Sequence, residues 1–345
     1  MNAATHHGST TCGRRGGMAF AVLGVLLAVL LAVDLLTGDS GMSPRDLIAA
    51  LSGRGEGAPL AGTILGIRAT RAAVAVIVGA ALSAGGLQMQ TVFRNPLADP
   101  YLLGISSGAS LGAALMMLGL PLLGAGLSST ALSLGIAGAA WIGAAAVLVA
   151  VGIVSRWVKN ILGVLIIGVM FGYVASAIIQ ILQYLSSAES LKLFSLWSMG
   201  AIGNVTAPKA VVMAVIVAAG LVLAVISIKP LNLLLLGEDY ARSMGLDVRR
   251  SRTLIFTSVT LLAGTTTAFC GPVGFIGLAV PHVARMIFAN ADHRVLLPGS
   301  IVVGMDMMLV CDILAKNLVL PVNSITALMG IPVILWVIFR NLRIV

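Results

Sequence analysis

Ten stretches of this chain are long and apolar enough to cross a lipid bilayer, and that pattern constrains the fold more than any motif does. A spanning helix needs about 20 mostly apolar residues. The runs are 18–36, 67–91, 101–119, 127–154, 160–186, 207–228, 253–271, 275–289, 297–316 and 323–340. Over its 345 residues the chain is 59% hydrophobic and 10% charged, with a mean hydropathy of +1.07. A soluble domain carries about 25% charged residues. Polar groups here cannot cover a globule of this size, so the surplus apolar surface must face hydrocarbon. The expected fold class is an all-α integral membrane protein of about ten transmembrane helices, with lipid as its solvent. Residues 1–17 read as a tail and 18–345 as one polytopic unit. Arg14 and Arg15 before the first run resemble the start of a signal peptide, but no small-residue cleavage site follows and Asp34 ends the stretch. An uncleaved first helix is the reading.

Ten spans place both termini on one side. With that side cytoplasmic, seven basic residues fall outside (Arg45, Arg54, Arg68, Arg71, Lys192, Lys209 and Lys316) and the other fourteen of the 21 fall inside. That bias agrees with the positive-inside rule and accounts for the net charge of +9 without nucleic acid as a partner. No basic run is interleaved with aromatics. Cys12, Cys270 and Cys311 form neither a disulfide framework nor a metal-ligand spacing. The methionines, including Met116–Met117 and Met305, Met307 and Met308, read as packing, and no metal site is expected. A Walker A loop, an H-E-x-x-H helix and a nucleophile elbow are all missing. No catalytic residue and no cofactor is therefore expected on this chain, and any ATP–Mg chemistry must sit on a separate subunit. Asp306 and Asp312 are the acids well inside a run. Six residues apart, they point about 240° from one another around a helix. They do not form the carboxylate pair that an ion-driven secondary transporter would use.

Three segments interrupt the apolar pattern. The loop 229–252 is the most charged, and its middle, Gly237–Gly245, reads as a short helix. Glu238 and Asp239 suit its positive N-terminal end, and Gly245 suits its C-terminal cap. Such a helix, standing free of the bilayer, suits docking into a partner protein; a solvated loop is the alternative. In Phe93–Gly104, Pro96 and Pro100 disfavour helix at Asn95 and Asp99, which fits a pore constriction or a plain turn. In Gly271–Arg285, the breakers Gly271, Pro272, Gly274 and Gly277 fall within seven residues, with Pro281 beyond them. Backbone freed from helix at membrane depth must be buried in protein or face a water-filled cavity. His282 there reads as structural. Gly104, Gly108 and Gly112, and likewise Gly168 with Gly172, mark faces where helices close on one another.

At these segments the chain resembles the FecCD family, the permeases of ATP-binding-cassette importers for iron-siderophores, haem and cobalamin. The resemblance lies in FRNPLADPYLLGISSGASLGAAL (93–115), NLLLLGEDYARSMGLDVRR (232–250), GPVGFIGLAVPHVAR (271–285) and TALMGIPVILW (326–336). It implies a type II ABC importer permease fold that works by alternating access as a homodimer. It also implies two ATPase subunits below and an extracytoplasmic substrate-binding protein above. The commonest cargo of the family is an iron chelate, a ferric siderophore or haem; cobalamin is the alternative cargo. By resemblance Gly237, Glu238, Asp239, Ala241, Arg242, Met244 and Gly245 form the coupling helix that the ATPase grips. Asn95, Pro96 and Leu97 form one cytoplasmic gate, and Asn160 with Ile161 a second. Ser190, Lys192 and Trp197 lie on a short external helix at the periplasmic mouth. Arg68 and Arg71 stand where the family has R-x-P-R, with Thr70 replacing the proline, as candidates for pairing with the binding protein or cargo. Gly271, Pro272, Gly274, Gly277 and Pro281 form a structural hinge.

Overall fold

A chain immersed in lipid must satisfy its backbone hydrogen bonds within itself, and helices do so locally. The computed structural model describes residues 7–38, 58–122, 129–154 and 161–342, and almost all of them are helical. In chain order the helices are α1 (His7–Leu36), α2 (Ala58–Val92), α3 (Ile105–Leu122), α4 (Ser129–Val154), α5 (Ile161–Leu185), α6 (Ala188–Ser198) and α7 (Ala207–Ile226). They continue with α8 (Ile228–Leu235), α9 (Glu238–Ser243), α10 (Val248–Cys270), α11 (Ile276–Phe288), α12 (His293–Leu318) and α13 (Val322–Leu342). Eight are long and apolar enough to span a bilayer, and α11 and α13 are shorter apolar helices, so the ten expected runs each find a helix.

Helix α2 is the most buried of the long helices, whereas α1 is the least buried and lies at the periphery. Glycines set the closest approaches. A Cβ on Gly79 of α2 would stand 2.2 Å from the Gly304 carbonyl oxygen of α12. A Cβ on Gly112 of α3 would stand 2.0 Å from the Ala139 oxygen of α4. Backbones in contact at that range exclude any side chain, which is the packing advantage of small residues in lipid. Two large apolar cores result, with a small third cluster of Ala114, Met117, Leu118 and Phe194 between α3 and α6. One gathers α1, α2, α7, α11 and α12; the other gathers α3, α4 and the base of α8–α10.

Several boundaries differ from the apolar runs. Helix α1 already begins at His7, so part of the expected tail is helical. Helix α2 begins at Ala58 rather than 67, which puts Arg68 and Arg71 well inside it. Helix α10 begins at Val248 rather than 253, because Asp247 caps it by accepting the Arg250 N–H at 3.0 Å. A helix starts at its cap, not where its residues turn apolar. The run 101–119 is broken: a 3₁₀ turn at Pro100–Leu103 ends on left-handed Gly104 (φ 76°), and α3 starts after it.

Candidate functional site

The two ends of the bundle carry different chemistry. At one end α7 leads into α8 and α9, which are set off from the long helices. Ala241 is fully buried in a core with Leu231, Leu234, Val248 and Phe256, and so pins α9 to the bundle. Ala241 therefore faces inward and anchors the helix. Gly237 opens α9 at φ 107° and Gly245 closes it at φ 80°, conformations that suit glycine. Glu238 pairs with Arg252 of α10 and, at 3.7 Å, with Arg242 one turn along. Its carboxylate is thus engaged within the chain. Asp239, Tyr240, Arg242, Met244 and Leu236 point outward and form a mixed apolar and charged tip.

Next to this tip α2 ends and the chain turns. Phe93 still packs in the same core and stacks on Phe256 with ring centroids 6.2 Å apart. Arg94 takes a left-handed backbone (φ 48°), and the Leu97 and Ala98 N–H groups bond to Asn95. Asn95, Pro96 and Leu97 are exposed. The Pro96 carbonyl is held by His282 Nε2 at 2.8 Å, which gives His282 the structural role expected of it. Asp99 caps the following turn by accepting the Tyr101 N–H at 2.8 Å. Burial raises its carboxyl to a pKa of about 6. Asn160 lies outside the described residues, and Ile161 opens α5.

The segment 271–275 breaks the helical pattern between α10 and α11, deep in the bundle. Several backbone groups in and beside it find protein partners. The Gly274 N–H donates to Asn323 Oδ1 at 2.9 Å, and the Val273 N–H faces the Tyr101 hydroxyl at 3.4 Å. The Cys270 carbonyl accepts the Ala201 N–H at 2.7 Å. Gly271 (φ 73°) sits against the Trp197 carbonyl, where a Cβ would come within 2.2 Å of the oxygen. Gly277 is wedged between Pro100 and α2, and Pro281 is enclosed within α11. The break therefore touches α6, the Pro100 turn, α2 and α13 at once. Ser190 accounts for part of the cap of α6: Ser187 accepts its N–H at 3.4 Å. Lys192 is exposed.

At the end opposite α9, the sequence reading missed a buried ion network. Lys316 Nζ lies 2.7 Å from Asp34 and 3.0 Å from Asp312, and Arg71 Nε lies 2.9 Å from Asp312. Asp34 and Asp312 are fully buried and Lys316 is 2% exposed. Two acids and two bases thus tie α1, α2 and α12 together. Arg68 is buried too, and donates to the Leu35 and Leu36 carbonyls at the end of α1. Arg68 and Arg71, expected to pair with the binding protein or cargo, thus each make contacts within the fold, and the Arg71 side chain stays 23% exposed. Asp306 stands apart, buried, with no hydrogen-bond partner for either oxygen. Among the described residues no cluster of His, Cys, Asp or Glu is arranged to hold a metal ion.

Comparison with known proteins agrees with this architecture. The model of the FecCD transport family matches residues 26–340. The chain is 39% identical over 285 residues to the hemin transport system permease protein HmuU of Yersinia pestis, covering 80% of this chain and 83% of that one. It is 34% identical over 339 residues to the vitamin B12 import system permease protein BtuC of Citrobacter koseri, covering 96% of both. The fold superposes on a metal-chelate type ABC transporter solved in an inward-facing conformation, with TM-score 0.79 and 26% identity over 94% of this chain and 99% of that one.

Proposed function

The chain belongs to the FecCD transport family, and on that premise we propose that it is the membrane permease subunit of an ATP-binding-cassette importer that carries an iron chelate, haem in particular, into the cytoplasm. Two copies pair around the pathway, two ATPase subunits dock beneath, and a substrate-binding protein delivers cargo from outside. Both termini then lie in the cytoplasm, on the side of α9. This chain lines the pathway and leaves ATP hydrolysis to its partners.

The observation that carries the reading is α9: six residues bracketed by left-handed glycines and held to the bundle on one side only. Its outward tip joins apolar Tyr240 and Met244 to charged Asp239 and Arg242, a composition suited to a protein groove rather than to lipid. The exposed Asn95–Leu97 turn beside it is the natural place for a gate. Haem is favoured as cargo because identity to the hemin permease, 39%, exceeds the 34% to the B12 permease. A corrinoid is the second reading, since the B12 permease match covers 96% of the chain. An ion-driven mechanism would use a free carboxylate pair, and none forms among the described residues: Asp34 and Asp312 are matched by Lys316 and Arg71, and Asp306 stands alone.

The test is co-purification. Replacing both Tyr240 and Met244 by alanine should lower recovery of the cognate ATPase on the tagged permease by about tenfold, the loss of one hot-spot pair. Undiminished recovery with the double variant would remove α9 from the interface.

A further inference from the structure

At the end of the bundle that carries α8 and α9, side chains of three helices join in one hydrogen-bonded chain. Asn232 of α8 donates from Nδ2 to Asp292 Oδ1 at 2.6 Å, and its Oδ1 accepts the His293 backbone N–H at 2.9 Å. These two contacts fix the direction of the amide. Its oxygen faces the His293 ring, 2.7 Å from Nδ1. A carbonyl oxygen only accepts, so Nδ1 must carry a hydrogen and donate it.

Across the ring, Nε2 lies 2.8 Å from Thr91 Oγ1, and the same hydroxyl lies 2.8 Å from the Leu87 carbonyl. A hydroxyl has a single hydrogen. With the ring hydrogen on Nδ1, Nε2 can only accept, so Thr91 gives its hydrogen to Nε2, and the Leu87 carbonyl beside it competes for the same hydrogen. His293 is 1% exposed and Thr91 2%, so the joint lies away from bulk solvent. Thr91 is the penultimate residue of α2, directly before the turn that presents Asn95–Leu97. A parallel limb holds the other side of that turn: Arg285 donates to Gln90 Oε1 at 2.7 Å, and His282 meets the Pro96 carbonyl.

We infer that His293 is a positioning residue that ties α8, and with it α9, to the end of α2, so that a displacement of α9 reaches the Asn95–Leu97 turn through Asn232, His293 and Thr91. The inference rests on the importer reading above, which supplies the displacement. In bond terms, moving α8 shifts Asn232, and Asn232 drags the imidazole through the Nδ1–H contact. The ring then reorients the Thr91 hydroxyl at the point where α2 stops being helical. Nothing in the apolar pattern marks these residues, because the three helices that supply them are distant in sequence.

The test uses the full chain with its ATPase and binding protein in proteoliposomes, with ATP hydrolysis and haem uptake read on the same vesicles. Thr91→Val keeps the shape and removes the hydroxyl; Thr91→Ser restores it. With Thr91→Val, and separately with His293→Ala, hydrolysis should stay within about twofold of wild type while uptake per ATP falls about tenfold, the scale of a lost coupling contact. Thr91→Ser should behave as wild type, and the Val/Ala double variant should be no worse than either single. Parallel loss of hydrolysis and uptake, or wild-type coupling in Thr91→Val, would overturn the joint. Wild-type vesicles that take up neither haem, a ferric siderophore nor cobalamin would instead sink the importer reading, and the joint with it.

Discussion

Replacing Lys316 by methionine should be among the most damaging single changes in this protein. The substitution keeps the length of the side chain and removes only its charge. In the native network Lys316 serves Asp34 at 2.7 Å and Asp312 at 3.0 Å. Asp312 keeps Arg71 when the lysine is lost. Asp34 keeps no direct partner: it is fully buried, and its Oδ2 has no partner even in the native fold. A buried charge stripped of its partner costs about 3–5 kcal/mol. Replacing Asp34 by asparagine as well removes that orphaned charge and leaves Asp312–Arg71 intact, so the double variant should recover about 2–3 kcal/mol, the coupling scale of groups in contact. Unfolding can be followed in mixed micelles by SDS titration with a thiol-reactive fluorophore in a Cys12→Ser background. Cys270 and Cys311 are buried and react only when the bundle opens. A Lys316→Met protein as stable as wild type, or a double variant no more stable than the single, would refute the reasoning.

Other perturbations follow from the same contacts. Gly86→Ala should cost at least about 2 kcal/mol by overpacking in the same titration, because its Cβ would come within 1.8 Å of the Gly277 carbonyl. Gly245→Ala meets no atom within 4 Å, so its penalty should be only the left-handed strain at φ +80°, about 1–2 kcal/mol; hydrogen exchange confined to α9 would report it. Glu238→Gln weakens the hold of α9 on Arg252 of α10 and should loosen α9 by about 1–2 kcal/mol, seen as faster exchange of its amides with global stability unchanged. Burial lifts Asp99 from 3.8 to about 6, so the fold binds its proton more tightly than the unfolded chain does. The stability this adds is present below about pH 4 and fades as pH rises through about 6. Asp99→Asn should flatten the pH dependence of the unfolding midpoint across that window.

What the sequence made legible follows from how local each signal is. Apolar runs announce spanning helices because lipid admits few alternatives, and each of the ten finds a helix, eight of them long enough to span among the described residues. The Gly237–Gly245 helix was legible because glycine, two acids and a second glycine mark its ends within nine residues. The break at Gly271 was legible for a similar reason, since proline and glycine act on their own backbone. The buried network was not, because Asp34 and Lys316 are 282 positions apart and meet only once α1 packs on α12. Asp312 invited comparison with Asp306 on its own helix, whereas its partners are Lys316 one turn on and Arg71 on α2. Arg68 and Arg71 illustrate the same gap. Their partners within the fold, the end of α1 and the Asp312 carboxylate, lie far from them in sequence. The His293 chain was hidden likewise, since Asn232, Thr91 and His293 are individually unremarkable.

The central claim is that transport through this chain is driven by ATP on a separate subunit, and vesicle uptake tests it most directly. Proteoliposomes holding the permease, its ATPase and the binding protein should accumulate haem only with internal ATP, and a protonophore should leave the rate unchanged. Accumulation that persists without the ATPase, or that collapses on addition of the protonophore at constant ATP, would contradict the account.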